Sequence, residues 1–301
     1  MDGFIELLFP WETSPLILVG TGGAVLMYGI GLARGGSPGR WRAISFVAGV
    51  ALFYAVTQTH FDYYSQYLFF AHRGQHLVLH HLAPFLVALS APGPVLAAAL
   101  PGWRISSSAL RRAKHSVAKL YRGFQNPWLA GMLFVGLIAF WLIPDIHFDA
   151  MLSRRLYWIM NWSMALDGLL FWWLVFARNP AGATPHLTFG SRVLLLMLII
   201  PPQMLIGATL AFSEQSLFDV YDVCGRAFPI APMDDQQLGG LITWIPAVMM
   251  SMAGVLILLV RQLGDFSDER PGKDEPGAPC RIRHGDHGEH RDHGVQGGKR
   301  W

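Results

Sequence analysis

Seven apolar stretches dominate this chain: Ser14 to Ala33, Ala43 to His60, His72 to Ala91, Pro127 to Ile143, Leu156 to Ala177, Arg192 to Phe212 and Gly239 to Arg261. Each approaches the length of about 20 apolar residues that a helix needs to cross the hydrocarbon core of a bilayer. A chain in lipid must satisfy its backbone polar groups internally, and no alternating pattern points to a barrel. The expected fold is therefore an all-α, polytopic membrane bundle of about seven transmembrane helices. Charge is correspondingly sparse, with 14% Asp, Glu, Lys and Arg against 52% hydrophobic residues.

Where Lys and Arg collect sets the expected orientation. The connections after the first, third and fifth stretches carry Arg34, Arg40 and Arg42; Arg104, Arg111, Arg112, Lys114, Lys119 and Arg122; and Arg178 and Arg192. These loops are expected to be cytoplasmic, with the N-terminus outside and the C-terminus inside, in a bacterial-type plasma membrane. The opposite loops are acidic, with Asp62, Asp145, Asp149, Glu214, Asp219, Asp222, Asp234 and Asp235. MDGFIELLFPWE has no basic region before the first stretch, so its removal as a signal peptide is not expected. The net charge of +3 belongs to topology and tail, which argues against a nucleic-acid partner. Between Pro101 and Gln125, Leu110, Val117, Leu120 and Tyr121 form an apolar stripe beside basic side chains, the pattern of an interfacial helix on anionic lipid.

Beyond the last stretch the composition changes, dividing the chain into a membrane domain over 1–263 and a polar tail over 264–301 that lacks the apolar content to fold alone. His284, His287, His290 and His293 recur there every third residue after Cys280, a pattern able to hold a divalent metal or copper loosely. The other cysteine, Cys224, falls on the opposite side of the membrane, so no intrachain disulfide is expected.

Chemistry concentrates in TQTHFDYYSQYLFFAHRGQHLVLHHLAPFLVAL, which carries His60, His72, His76, His80 and His81. Ionisable groups in a bilayer are costly and usually mark a site or pathway. A helix turns about 100° and rises about 1.5 Å per residue, so His72, His76 and His80 form one inward ladder, with His60 near its outer end. His81 points elsewhere. Pro84 has no N–H, which leaves the His80 carbonyl without its usual helical donor and predicts a kink and a free acceptor beside the histidine pair. In the fifth stretch, Asn161 falls near the depth of His76 and Asp167 near that of His80, so Asp167 is expected to pair with a histidine or move a proton. His147 returns to the outer level, as a partner for His60 and His72 or as an interfacial residue.

Imidazole donors, with Met151, Met160, Met164 and Met204 as thioethers and without a cysteine pair or carboxylate cluster, point to copper, as Cu(I), ahead of zinc, calcium or magnesium. Bis-histidine haem ligation stays open. No helical His-Glu-x-x-His pair is present, so no enzyme is predicted.

The run FFAHRGQHLVLHHLAPFLVAL, followed by PDIHFDAML, NWSMALDGLLFWW, IIPPQMLIGA and MDDQQLGGLITWIP, resembles the CtaG-like cytochrome c oxidase assembly factors from about Phe53 to Leu263. The resemblance implies a multispanning protein of the respiratory chain that handles copper during oxidase maturation, with oxidase subunits and a periplasmic copper chaperone as partners. The family's His-x-x-Gln-His pattern falls on His72, Gln75 and His76, and its Asp-Gln-Gln motif on Asp235, Gln236 and Gln237. Where many members carry Glu-His, this chain has Met160 and Asn161. The expected mechanism is capture of copper at His60, His72 and His76, passage inward to His80, and ligand exchange with an oxidase copper centre. A membrane copper transporter is the alternative, and a haem-binding redox protein a further one.

Overall fold

A computed structural model describes residues 10–100, 108–177 and 187–268, and among them every regular element is helical. By contact the chain divides into a unit Met1–Gln262 and a unit Leu263–Trp301. The first holds the bundle. Of the second, the described part is the final stretch of one helix.

Local sequence explains where the helices begin. Helix α1 (Pro15–Ala33) opens on a proline, whose missing N–H is one that no helix start can pair anyway. Helix α2 (Arg40–Gln58) ends at Thr59, whose hydroxyl then accepts from Phe61 N–H at the start of α3 (His60–Tyr67). Next come α4 (Phe69–His76), a π-helical segment (Leu77–Leu82), α5 (Ala83–Ser90) and α6 (Gly93–Ala99). Helix α7 (Ser108–Phe124) leads to α8 (Pro127–Trp141), which the Asn126 side chain caps by accepting from Trp128 and Leu129 N–H at 3.0 and 3.3 Å. Helix α9 (Pro144–Leu152) precedes α10 (Arg154–Phe176), and α11 (Phe189–Ala211), α12 (Val220–Cys224) and α13 (Pro232–Asp268) complete the order.

Five of these helices, α1, α2, α10, α11 and α13 up to Gly264, are long and apolar enough to cross a membrane. Two bent pairs bring the number to seven if each forms one span, which agrees with the count read from the sequence. In the first, Phe69–Ser90 meets α6 at 68°; in the second, Ala118–Phe124 meets α8 at 75°. A segment at 75° to a membrane-crossing helix lies near the membrane plane. The exposed Lys119 and Arg122 on that segment suit the interfacial position expected for it.

The expected irregularity at Pro84 takes the form of a π-turn, not a sharp kink. Ala83 N–H bonds the Val78 carbonyl, five residues back, so the widened turn absorbs the donor that Pro84 lacks. The sharp bend falls later, after Ala91, whose φ of 48° precedes Pro92.

The core lies around this broken helix. Phe85, Phe134, Phe171, Trp172 and Leu196 bring α5, α8, α10 and α11 together, while Phe69, Trp141, Tyr157, Met160 and Tyr221 close the other end. Small residues permit the closest crossings. A Cβ at Gly168 would lie within 3 Å of the His80 carbonyl carbon and Cα, and one at Gly240 would lie 2.9 Å from the Gly207 carbonyl oxygen. Such approaches replace the hydrophobic drive that helices in lipid lack.

Candidate metal centre

The start of the histidine-bearing helix is fixed from the far end of the chain. Phe69 and Phe70 N–H donate to the two carboxylate oxygens of Asp235 at 3.1 and 2.8 Å. Arg226 Nε–H holds the same carboxylate at 3.2 Å. Gln236 accepts from Leu217 N–H at 2.7 Å and donates to the Gln215 carbonyl at 3.0 Å, pinning the preceding loop. The Asp235-Gln236 pair is thus an N-terminal cap and a loop anchor, while Gln237 is exposed. Asp235→Ala is expected to cost about 1–2 kcal/mol, the usual loss of a cap, with Arg226 keeping its pair with Asp222. Denaturant unfolding in detergent checks this.

One turn inward sit His72, His76 and His147. The His72 ring lies 4.4 Å from that of His76 and 5.2 Å from that of His147, centre to centre. His72 is fully buried, and neither of its ring nitrogens makes a well-formed hydrogen bond among the described residues, the Ser65 backbone being within electrostatic reach only. His76 is committed on both sides. Arg73 Nη2–H donates to His76 Nδ1 at 2.6 Å, and since arginine is donor-only, Nδ1 must be the acceptor. Nε2–H then donates to Asn161 Oδ1 at 3.0 Å. His147 is likewise committed: Nδ1–H donates to the Trp141 carbonyl at 3.0 Å, and Nε2 accepts from the Tyr221 hydroxyl at 3.1 Å. Burial first, and then the Arg73 charge, push His147 down to about 3, so its ring is neutral.

Beside this group lies a polar network absent from the sequence-based expectations. Asp62 accepts from the Tyr157 hydroxyl at 2.8 Å, from Gln75 Nε2–H at 2.7 Å and from Gln66 Nε2–H at 2.8 Å. Burial raises the Asp62 carboxyl above its usual range, and the three donors oppose that rise. Gln75 also donates to the Val56 carbonyl, so α2, α3, α4 and α10 meet at one carboxylate.

Deeper, on the π-turn, His80 Nε2–H donates to Asp167 Oδ2 at 3.0 Å. This leaves His80 Nδ1 with its lone pair, buried and without a partner. His81 Nδ1 is also buried and unpartnered, and the two rings lie 4.9 Å apart, edge to face. His80 stacks on Phe134 at 4.1 Å. His76, His80, His81, Arg73, Met164 and Thr243 line one small cavity.

The structure therefore brings together most of the residues singled out from sequence, with different duties. Asn161 meets His76 and Asp167 meets His80, as the depth argument expected. His147 joins His72, whereas the ring contact found for His60 is with Trp11, at 5.4 Å. Met160 is fully buried in the apolar cluster, Met164 reaches the cavity wall, Met151 is half-buried and Met204 exposed. His284, His287, His290 and His293 lie outside the described residues. Sequence reasoning passed over Arg73, Tyr157, Tyr221 and the burial of Asp62. Arg73 had a signal, a charge between the two histidines of His-x-x-x-His.

Among the described residues, no three or more His, Cys, Asp or Glu side chains are grouped to hold a metal ion. What is present is a set of unpartnered imidazole nitrogens, on His72, His80 and His81. Each unmet buried polar atom costs about 1–3 kcal/mol, so a site that keeps several has a use for them. Asp167 behind His80 is the arrangement in which a carboxylate orients a ligating imidazole and raises its basicity. Imidazole donors of this kind suit borderline transition metals such as zinc, copper, iron or nickel.

No curated protein and no solved structure matches the chain. Residues 20–264 match the family model of the cytochrome c oxidase caa3 assembly factor (Caa3_CtaG), and the chain belongs to that family.

Proposed function

We propose that this membrane assembly factor of cytochrome c oxidase works by holding copper on the buried histidine face of α4 and the π-turn and passing it to the oxidase. The unpartnered nitrogens of His72, His80 and His81, with Asp167 behind His80, are the observation that carries this reading. Copper here is cargo, not a resident cofactor. With no ready group of three ligands, it would be held by one or two imidazoles at a time, which favours Cu(I) and keeps the exit barrier low. Met164, on the wall of the cavity that His80 and His81 share, is the thioether best placed to assist.

His72 lies above the His76 ring and His80 beyond it, so transfer runs from His72 past His76 toward the π-turn. His76 would act only when Arg73 releases its Nδ1. Copper would enter from the outer side, handed over by a periplasmic chaperone, and leave to an oxidase subunit docked in the plane of the plasma membrane.

Two measurements test this. The first is the copper content of purified protein, full-length and truncated after Asp268, following loading with Cu(I) under a competing chelator. Copper should survive truncation; copper that leaves with the tail overturns the membrane site. The second concerns sidedness. Cys224 is exposed and outside the spans, so with Cys280 replaced by serine a membrane-impermeant maleimide should label it in intact cells. Labelling only after the membrane is broken would invert the orientation.

A further inference from the structure

Arg73 is a buried cation without a counter-charge. It is 2% exposed, Nη2–H donates to the neutral imidazole of His76, Nε has no acceptor, and among the described residues Arg73 takes part in no ion pair. An arginine guanidinium keeps its charge in protein interiors.

The nearby carboxylates are already engaged. Asp235 accepts from Phe69 N–H, Phe70 N–H and Arg226; Asp62 from Tyr157, Gln75 and Gln66; Asp167 from His80. The contact of Arg73 with the face of Phe69, 5.6 Å from guanidinium carbon to ring centre, offsets only part of the desolvation. Removing an ion from water without a partner is among the most costly acts in a protein interior.

The cavity supplies the missing half. Arg73 lines it together with His76, His80, His81 and Thr243, and it has room for a small occupant. Water there would satisfy Nε–H but would leave the charge unbalanced. From this geometry we infer that the cavity is a binding site for a small monovalent anion, a halide or a compact carboxylate such as formate, held by Arg73. The small volume favours compact anions, and the engaged carboxylates mean that the counter-charge comes from solution. This site does not depend on copper.

The test uses the full-length protein, purified without copper in uncharged detergent, with chloride or formate exchanged for gluconate at constant ionic strength. Chlorine NMR line broadening and the thermal unfolding midpoint should both show a saturable chloride effect, with formate displacing chloride. Arg73→Gln should weaken chloride binding by about tenfold or more, the loss of a charge-assisted contact. Should that variant fail to fold, Thr243→Asp places a tethered carboxylate on the cavity wall, and it should abolish the chloride effect while keeping the helical spectrum. No saturable effect in the wild type, or an undiminished one in either folded variant, overturns the site.

Discussion

Replacing His72 and His80 together by alanine is expected to lower copper affinity by more than about a hundredfold, since loss of outer partners of a metal site alone costs about 10–100-fold. The comparison that gives this force is His76→Ala, expected to change affinity far less. His76 is spoken for on both nitrogens, by Arg73 and Asn161, whereas His72 and His80 keep theirs. Competition against a chelator in detergent measures the affinity, and oxidase activity in membranes measures the consequence. Asp167→Asn belongs in the same series at about 10–100-fold, because it leaves His80 in place and removes what orients it. Equal copper binding by the double variant and the wild type would sink the proposal. So would a His76→Ala variant weaker than the double one.

The second large effect is expected at Gly168. An added Cβ there meets the His80 carbonyl carbon and Cα within 3 Å, backbone atoms that cannot swing aside. Alanine gains about 1 kcal/mol of helix propensity. Overpacking costs about 1–3 kcal/mol and here must be met by separating two helices. Gly168→Ala should therefore lower stability on balance, and Gly168→Leu should lower it further. The same separation would stretch the neighbouring Asp167–His80 bond, so copper affinity should fall with stability. Thermal unfolding in detergent, followed beside the chelator assay, shows whether the two losses travel together.

Much of the fold was legible because lipid imposes so few solutions. Apolar length alone placed the spans, and proline marked where regular hydrogen bonding must give way. Helical rise was enough to set Asn161 against His76 and Asp167 against His80 across two segments nearly 90 residues apart, because both helices run through one bilayer and share one depth scale. Rotation about the helix axis was harder to read. The π-turn shifts every residue after Leu77 out of the phase that a regular helix would give, so a ladder drawn with uniform turns places His80 and His81 only approximately.

What escaped the sequence is chiefly who answers whom. Asp62 read as one more outer-loop acid until Tyr157 and Gln75, from other helices, were found donating to it. Arg73 is buried and occupies the lone pair that made His76 look like a ligand. His60 shares its sequence neighbourhood with the other histidines but not their surroundings, because the break between α3 and α4 at Leu68 starts a new helix. Hydrogen-bond assignments of this kind depend on several helices at once, and no spacing rule within one helix contains them.

The widened turn at Leu77–Leu82 also sets how this segment can vary. It accommodates one residue more than a regular helix of the same rise would hold, so removing a single residue there should restore a regular turn and leave Phe85 and Ala88 in the core they share with Phe134 and Trp172, whereas adding one should turn α5 by about 100° and carry them out of it. Exchange of one apolar side chain for another at the partly exposed Leu77, Val78 or Leu82 disturbs no such phase. This stretch should accept substitution and the loss of one residue and reject a gain, whereas a surface loop tolerates both changes of length.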